Sequence, residues 1–215
     1  MTGLENIPDI VVSRLPIYLR ALSYLREDRV RVTSSELGDY LGISSAQIRK
    51  DLSHFGGFGK QGTGYNVPKL VEALRKILKV EREWAVALVG AGAIGHALSH
   101  YDGFADYGFR ISMIFDNDPA KIGAQINGFE VYDAAHLAEL IPQRNIALAM
   151  LAVPPEAAQQ VADALVQAGI RGILNYAPIN LVVPDTVRVQ YIDPVVHLQR
   201  ITYYLTEPPE APEGG

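Results

Sequence analysis

Gly90-Ala91-Gly92-Ala93-Ile94-Gly95, with Asp116 standing 21 positions beyond the last glycine, have the types and spacing to hold a dinucleotide. Gly90 permits a tight turn. Gly92 lets backbone N–H groups approach a pyrophosphate, and Gly95 lets a helix pack closely on a strand. Ala91, Ala93 and Ile94 complete the turn and belong to the same candidate site. The helix that follows turns its N-terminus toward the negative charge. Asp116 should accept hydrogen bonds from the adenine-ribose hydroxyls and repel a 2′-phosphate, which favours NAD(H) over NADP(H). The alternative for Asp116 is a simple strand-end residue, and a lone glycine motif is weak.

The elements around these residues strengthen the assignment. An apolar run, Trp84 to Val89, precedes the glycines, a helix from Ala93 to Tyr101 follows, and a second run, Ile111 to Phe115, ends at Asp116. Further on, Asn145 to Val153 reads as a buried parallel strand. Pro155 opens a helix that stops before Gly169, and Gly172 to Asn175 and Val187 to Ile192 read as two more strands. This alternation is α/β: an open, doubly wound parallel sheet of Rossmann type with helices on both faces. Ligands of such sheets sit at the carboxyl ends of the strands. Val153-Pro154 and Asn175-Tyr176-Ala177-Pro178 are therefore candidates for the nicotinamide end, or else loop residues with proline stops. An apolar slot at Val153-Pro154 would penalise a charged nicotinamide through desolvation.

A second set of residues could read DNA. Thr33-Ser34-Ser35-Glu36 fits a capping box, the helix it starts stops at Gly42, and Ser44-Ser45-Ala46-Gln47 fits another. Two helices joined by a tight turn containing Gly make a helix-turn-helix. On the second helix Ile48, Leu52 and Phe55 share one face and should pack inward. Ala46, Lys50 and Ser53 lie opposite, flanked by Arg49 and His54, a plausible major-groove surface. Ser45 and Gln47 stand near its N-terminus, where Gln47 could reach a base edge. A solvated amphipathic helix would look similar. Residues 56–65 then hold five glycines and read as a hairpin wing with Lys60-Gln61 near its tip. A phosphate-cradling loop is the other reading, but such a loop should open directly onto a helix. Upstream, Ser13 could cap a helix whose first turn holds Pro16 and whose buried face is Leu15, Tyr18, Leu19, Leu22 and Leu25. Downstream, a helix from Pro68 to Lys79 leads into the glycine-motif domain.

Charge supports this division. Residues 1–80 carry 12 Lys+Arg against 8 Asp+Glu, a net of +4, while the whole chain is −5 and the remainder therefore −9. A basic first third on an acidic chain fits a nucleic-acid footprint. Cysteine is absent, which removes disulfides, thiolate metal sites and a cysteine nucleophile, so redox sensing would have to pass through a bound ligand. No long apolar run or signal-peptide pattern is found, so a cytoplasmic protein with no membrane partner is expected.

Catalysis finds few candidates. His54 belongs to the DNA-reading helix, His96 and His100 to the glycine-motif helix, and His136 to a later one. None stands at a strand end beside the nicotinamide. Tyr65 and Lys69 have the spacing of a dehydrogenase pair, but they precede the cofactor motif and enclose Pro68. No metal-ligand spacing stands out. Asp193 can cap a last helix, with Pro194 in its first turn and Leu198, Ile201, Tyr204 and Leu205 as its apolar face. The tail, EPPEAPEGG, is acidic and Pro/Gly-rich, as disordered segments are.

The stretches SRLPIYLRAL, TSSELGDYLGISSAQIRKDLSHFGGFGKQGTGYNV, VGAGAIG, FDNDPAKIG, LAVPPEAAQQVADALVQAGIRGILNYAP and the final YID resemble the Rex family of bacterial redox-sensing transcriptional repressors, over roughly residues 10 to 206. The resemblance implies a homodimer whose N-terminal winged helices bind a palindromic operator. It implies Rossmann domains that bind NADH or NAD⁺ as the sensed ligand, a C-terminal helix exchanged between subunits, and release of DNA by NADH. It also implies a switch network of Arg20, Tyr101 and Asp193. The family often has arginine where this chain has Ala93, and an aromatic where it has Pro194. The expected organisation is a winged helix-turn-helix domain over 1–80, a Rossmann domain over 81–192, a dimerisation helix over 193–206 and a disordered tail over 207–215. Two other functions are weighed against it. VPPEAAQQVADALVQAGIRGILN also resembles the CoA-binding domain of succinyl-CoA ligase α subunits, though no suitable phosphohistidine follows it. An NAD-dependent oxidoreductase is disfavoured by the missing proton donor.

Overall fold

Leu15, Tyr18, Leu19 and Leu22 recur at three- and four-residue steps, and all four are buried. In the computed structural model, which describes residues 7–25, 30–58 and 63–205, they form one face of α2 (Leu15–Leu25), which follows the single turn of α1 (Asp9–Val12). Ser13 does not cap α2, contrary to expectation. It closes α1 instead, its Oγ donating to the Ile10 carbonyl at 3.0 Å. The chain divides into two compact units, Met1–Arg82 and Glu83–Gly215.

In the first unit β1 (Arg31–Val32) leads to α3 (Ser34–Leu41) and α4 (Ser45–Ser53). The Thr33 hydroxyl accepts from the Glu36 N–H while the Glu36 carboxylate accepts from the Thr33 N–H, so the capping box is complete. Gly42 ends α3 with φ +67°, a left-handed conformation that glycine adopts without strain. Gly38 permits the turn to fold back, since a Cβ there would lie 2.4 Å from the Ile43 carbonyl oxygen. β2 (Tyr65–Asn66) then opens α5 (Val67–Ile77), capped by the Asn66 side chain and with Pro68 in its first turn. α2 packs on α5 and on α3, and α3 on α4. Of the expected wing, the described residues show β2 paired with β1, antiparallel, with Val32 opposite Tyr65, and no strand over 56–58. The expected tip, Lys60-Gln61, lies outside the described residues, as does the tail 207–215.

The second unit alternates strand and helix: β3 (Trp84–Val89), α6 (Ala93–Ser99), α7 (Gly103–Asp106), β4 (Phe109–Asp116), β5 (Gln125–Ile126), β6 (Phe129–Asp133), α8 (Leu137–Gln143), β7 (Leu148–Leu151), α9 (Pro155–Gln167), β8 (Gly172–Asn175), β9 (Arg188–Tyr191) and α10 (Pro194–Thr202). The strand order is β5-β6-β4-β3-β7-β8-β9, parallel throughout except for β5. Side chains alternate across the sheet. Ala87, Val89, Phe115, Ala149 and Leu151 join one core with Leu137, Ile141, Ala158, Ala162 and Leu165, which puts α8 and α9 on that face. Val86, Leu88, Ile114 and Met150 join the other, with Leu98 of α6 and Phe104 of α7. Burial on both faces explains why the strands read as continuous apolar runs. On α10, Val195, Leu198 and Ile201 are each more than half exposed.

Candidate dinucleotide pocket and nucleic-acid interface

The chain leaves β3 at Gly90 with φ +101°, and a Cβ there would meet the Ala152 carbonyl oxygen at 2.4 Å and Val153 Cγ1 at 3.1 Å. Only glycine permits both this dihedral and this crossing. The Gly90 N–H donates to the Phe115 carbonyl, which joins the turn to the end of β4. Gly95 brings α6 down onto the turn, because a Cβ there would lie 1.8 Å from the Gly90 oxygen. Gly92 is different: a Cβ added there meets nothing within 4 Å. It stands at the cap position of α6 without a side-chain cap, next to exposed Ala93 and Ile94, while Ala91 is buried.

Asp116 closes β4 beside this turn and is 7% exposed. Its Oδ2 accepts from the Ala91 N–H at 2.7 Å and from Lys121 Nζ at 3.1 Å, and its Oδ1 accepts from the Asp118 N–H at 2.9 Å. Burial alone pushes the carboxyl pKa up. The Asp118 and Ala91 amides and the Lys121 ammonium outweigh it, and the net shift is downward. The involvement of Lys121 was not anticipated. Its signal was local, a cation five residues after the acid in FDNDPAK.

Val153 is half-buried and Pro154 exposed at the start of α9. The loop after β8 is folded by one buried side chain. Asn175 Nδ2 donates to the Ala177 and Ile179 carbonyls at 3.0 Å each, and its Oδ1 accepts from the Ala177 N–H at 2.9 Å. The glycine turn, Asp116 and Val153 thus converge at the carboxyl ends of β3, β4 and β7, where the strand order reverses. That is the crevice in which doubly wound sheets take ligands.

In the first unit Ala46, Arg49, Lys50, Ser53 and His54 are exposed along α4, and Ser45 and Gln47 are half-buried in its first turn. Ser44 caps the helix by accepting from the Gln47 N–H, but the reciprocal half of the second capping box is missing. The Gln47 amide instead donates to Asp51 Oδ1 at 2.6 Å. Asp51 is fully buried and also accepts from Arg14 Nε (2.5 Å) and Nη2 (2.8 Å) and from the Tyr18 hydroxyl (2.6 Å). Burial raises the Asp51 pKa, yet these four donors bring it below its ordinary value. Burial and the same carboxylate hold the Tyr18 hydroxyl in its neutral form. Sequence reasoning missed this cluster, although Asp51 follows Ile48 by one helical step on the inward face.

Arg49 donates to Ser34 Oγ at 2.9 Å, and Arg20 stands exposed on α2. Tyr101 is half exposed and meets Phe104 edge-on at 4.9 Å. Asp193 caps α10 by accepting from the Val195 N–H at 2.9 Å. Among the described residues no cluster of three His, Asp or Glu could hold a metal, and no helix is long and apolar enough to cross a membrane.

A family model described as a CoA binding domain matches residues 81–179. One described as "Putative DNA-binding protein N-terminus" matches residues 6–53. A redox-sensing transcriptional repressor Rex from Chloroflexus aurantiacus is 52% identical over 204 residues, covering 94% of this chain and 96% of its own. Those of Roseiflexus sp. and Brevibacillus brevis are 51% and 49% identical, covering 95% and 94% of this chain and 94% and 98% of theirs. The crystal structure of RSP in complex with β-NAD⁺ and operator DNA matches with a TM-score of 0.87 at 39% identity, over 92% of both chains. RSP in complex with β-NADH matches with 0.83 at 37%, over 92% of this chain and 93% of that one. RSP is described as a Rex-family repressor.

Proposed function

The chain belongs to the Rex family of redox-sensing transcriptional repressors, and from that premise we propose how its residues divide the work. It is a repressor that binds operator DNA as a dimer, senses the ratio of NADH to NAD⁺, and leaves the DNA when NADH binds. What carries this reading is that the relationship spans both units at once, 52% identity over 204 residues. It acts as a regulator without a catalytic step of its own, in the cytoplasm where its operator lies.

The dinucleotide is held by the Gly90–Gly95 turn, with Gly90, Ala91, Gly92, Ala93, Ile94 and Gly95 at its pyrophosphate. The open space above Gly92 supports this, since backbone N–H groups can reach a ligand there without obstruction. Asp116 takes the adenine-ribose hydroxyls, exchanging part of its present bonding. Val153 and Pro154 face the nicotinamide, where a neutral reduced ring suits a dry wall better than a cation does. Ser45, Ala46, Gln47, Arg49, Lys50, Ser53 and His54 meet the DNA, with Lys60 as a further phosphate contact. The exposed apolar face of α10, Val195, Leu198 and Ile201, supports its exchange into a second subunit. Arg20, Tyr101 and Asp193 form the switch.

NADH shifts the dimer only by binding its DNA-incompetent arrangement more tightly than the competent one. Coupling of this kind is about 1–3 kcal/mol, roughly 5- to 150-fold in affinity, and it is reciprocal. NADH is titrated by fluorescence with and without a palindromic operator. Operator should weaken NADH binding by the same factor as NADH weakens operator binding, and equal NADH affinity in both titrations would rule the function out. The match of residues 81–179 to a CoA binding domain favours a second reading, coenzyme A as the ligand. Displacement of NADH by coenzyme A in the same titration would decide for it.

A further inference from the structure

Four hydrogen bonds converge on Asp51, and three of them come from residues that hold it in place. Arg14 grips both carboxylate oxygens and the Tyr18 hydroxyl adds a third bond, with Asp51 and Tyr18 fully buried and the Arg14 side chain 18% exposed. The fourth bond runs outward, from Gln47 Nε2, one helical turn back on α4. Gln47 is fixed at its other end too, its backbone N–H donating to the Ser44 hydroxyl.

A carboxylate can only accept, so Gln47 must turn its nitrogen toward Asp51. The two ends of a side-chain amide are nearly alike in shape, and on a free glutamine either could face outward. Here one orientation is set. One N–H and the Oε1 acceptor remain. Together they are the pair that meets the major-groove edge of adenine, whose N7 accepts and whose N6 donates. Gln47 lies in the first turn of α4, the part of a recognition helix that touches base edges. Arg49 and Lys50 beside it are exposed cations suited to phosphate, which positions the protein without reading sequence.

The geometry points to Asp51 as a positioning residue that, held by Arg14 and Tyr18, sets the Gln47 amide to read an A·T pair in each operator half-site. This rests on α4 being the DNA-reading helix. Without Asp51 the amide samples both orientations, and discrimination at that pair falls while phosphate contacts stay.

The test uses the full-length dimer against a set of operators differing by single base pairs, at several salt concentrations. Gln47→Ala and Asp51→Asn should each relax preference at the same A·T pair, by about tenfold, within what one bidentate base contact provides. The double variant should lose no more than the larger single loss, and the slope of affinity against salt should match that of the unsubstituted protein. Four results would overturn the inference: Asp51→Asn weakening all duplexes by one common factor, losses that multiply in the double variant, relaxation at different pairs, or relaxation at a G·C pair. If Asp51→Asn does not fold, Tyr18→Phe decides, since it removes one hydrogen bond to Asp51 without touching α4. A smaller relaxation at the same pair supports the inference, and an unchanged preference overturns it. An unsubstituted protein that binds every duplex alike would remove the reading of α4 itself, whereas intact operator preference in all variants removes the roles of Gln47 and Asp51 and leaves α4 as the DNA-reading helix.

Discussion

Among the described residues each unit buries one aspartate beside its proposed binding surface, and the two are held in opposite ways. Asp51 is bonded by side chains alone, Arg14, Tyr18 and Gln47, from elements that form the hydrophobic core. Asp116 is bonded by two backbone amides and by Lys121, whose side chain is 38% exposed. Desolvation opposes both charges, and in both the hydrogen bonds win. The difference lies in what can replace the donors. Nothing from solvent can reach Asp51, so it is a fixed point. Asp116 lies at the rim of a crevice, where a ligand hydroxyl can take the place of an ammonium.

The sharpest way to break this comparison is to remove each carboxylate. Asp51→Ala leaves the Arg14 charge and the Tyr18 hydroxyl without their acceptor, and breaking a buried pair costs about 3–5 kcal/mol. Because Arg14 keeps some contact with water, the lower end is expected, read as a fall in the urea midpoint of the N-terminal unit. Both carboxylates are lowered from the ordinary 3.8. Their contribution is therefore complete above that value and is lost as the pH falls through the lower folded values. Stability measured against pH should fall steeply below about pH 4, and Asp51→Ala should flatten that fall.

Asp116→Ala should act chiefly on the ligand. The buried Ala91 N–H loses its acceptor, so stability falls by about 1–3 kcal/mol, short of unfolding the second unit. The ligand loses a charged acceptor, worth about 1.5–3 kcal/mol, or roughly 10- to 150-fold in NADH affinity. Operator binding should then respond to NADH only at correspondingly higher concentrations. If Asp116→Ala unfolds the second unit while NADH affinity holds, the two carboxylates do the same work and the contrast is lost.

These two sites also differ in how far sequence disclosed them. The glycine turn and its acid follow one another along one strand–helix–strand unit, so spacing alone pointed to them. The Asp51 cluster joins residues 37 positions apart, and no local pattern says that Arg14 will meet Asp51. The pairing of β2 was hidden for the same reason, because its partner β1 lies across the intervening helices and nothing in the neighbouring glycines announces it. The hairpin of β5 and β6 was legible and passed over. Asn127-Gly128 at its turn have φ of +48° and +79°, the residue pair such tight turns favour.

Gly92→Ala separates fold from ligand within the second unit. A Cβ there touches nothing in the protein, and φ −81° suits alanine. Stability should stay within about 0.5 kcal/mol, while the methyl occupies the space through which the pyrophosphate approaches. NADH affinity should fall by about tenfold, measured by the same fluorescence titration. Unchanged affinity would move the pyrophosphate away from this turn.

The smallest effect expected is at Lys121, and it tests why Asp116 is replaceable at all. Lys121 Nζ lies 3.1 Å from Asp116 and 3.7 Å from Asp118, so two carboxylates share one ammonium. A 2′-phosphate arriving there meets a net single negative charge rather than two. Lys121→Ala removes the cation, and repulsion of the phosphate rises. Partly exposed pairs of this kind are worth about 0.2–1 kcal/mol, so the ratio of NADPH to NADH affinity should fall by at most about fivefold. NADH itself should bind about as well, since the freed Oδ2 offers the ribose an acceptor that the ammonium had occupied. A ratio that rises instead would mean that Lys121 does not face the ribose, and that Asp116 is held as firmly as Asp51.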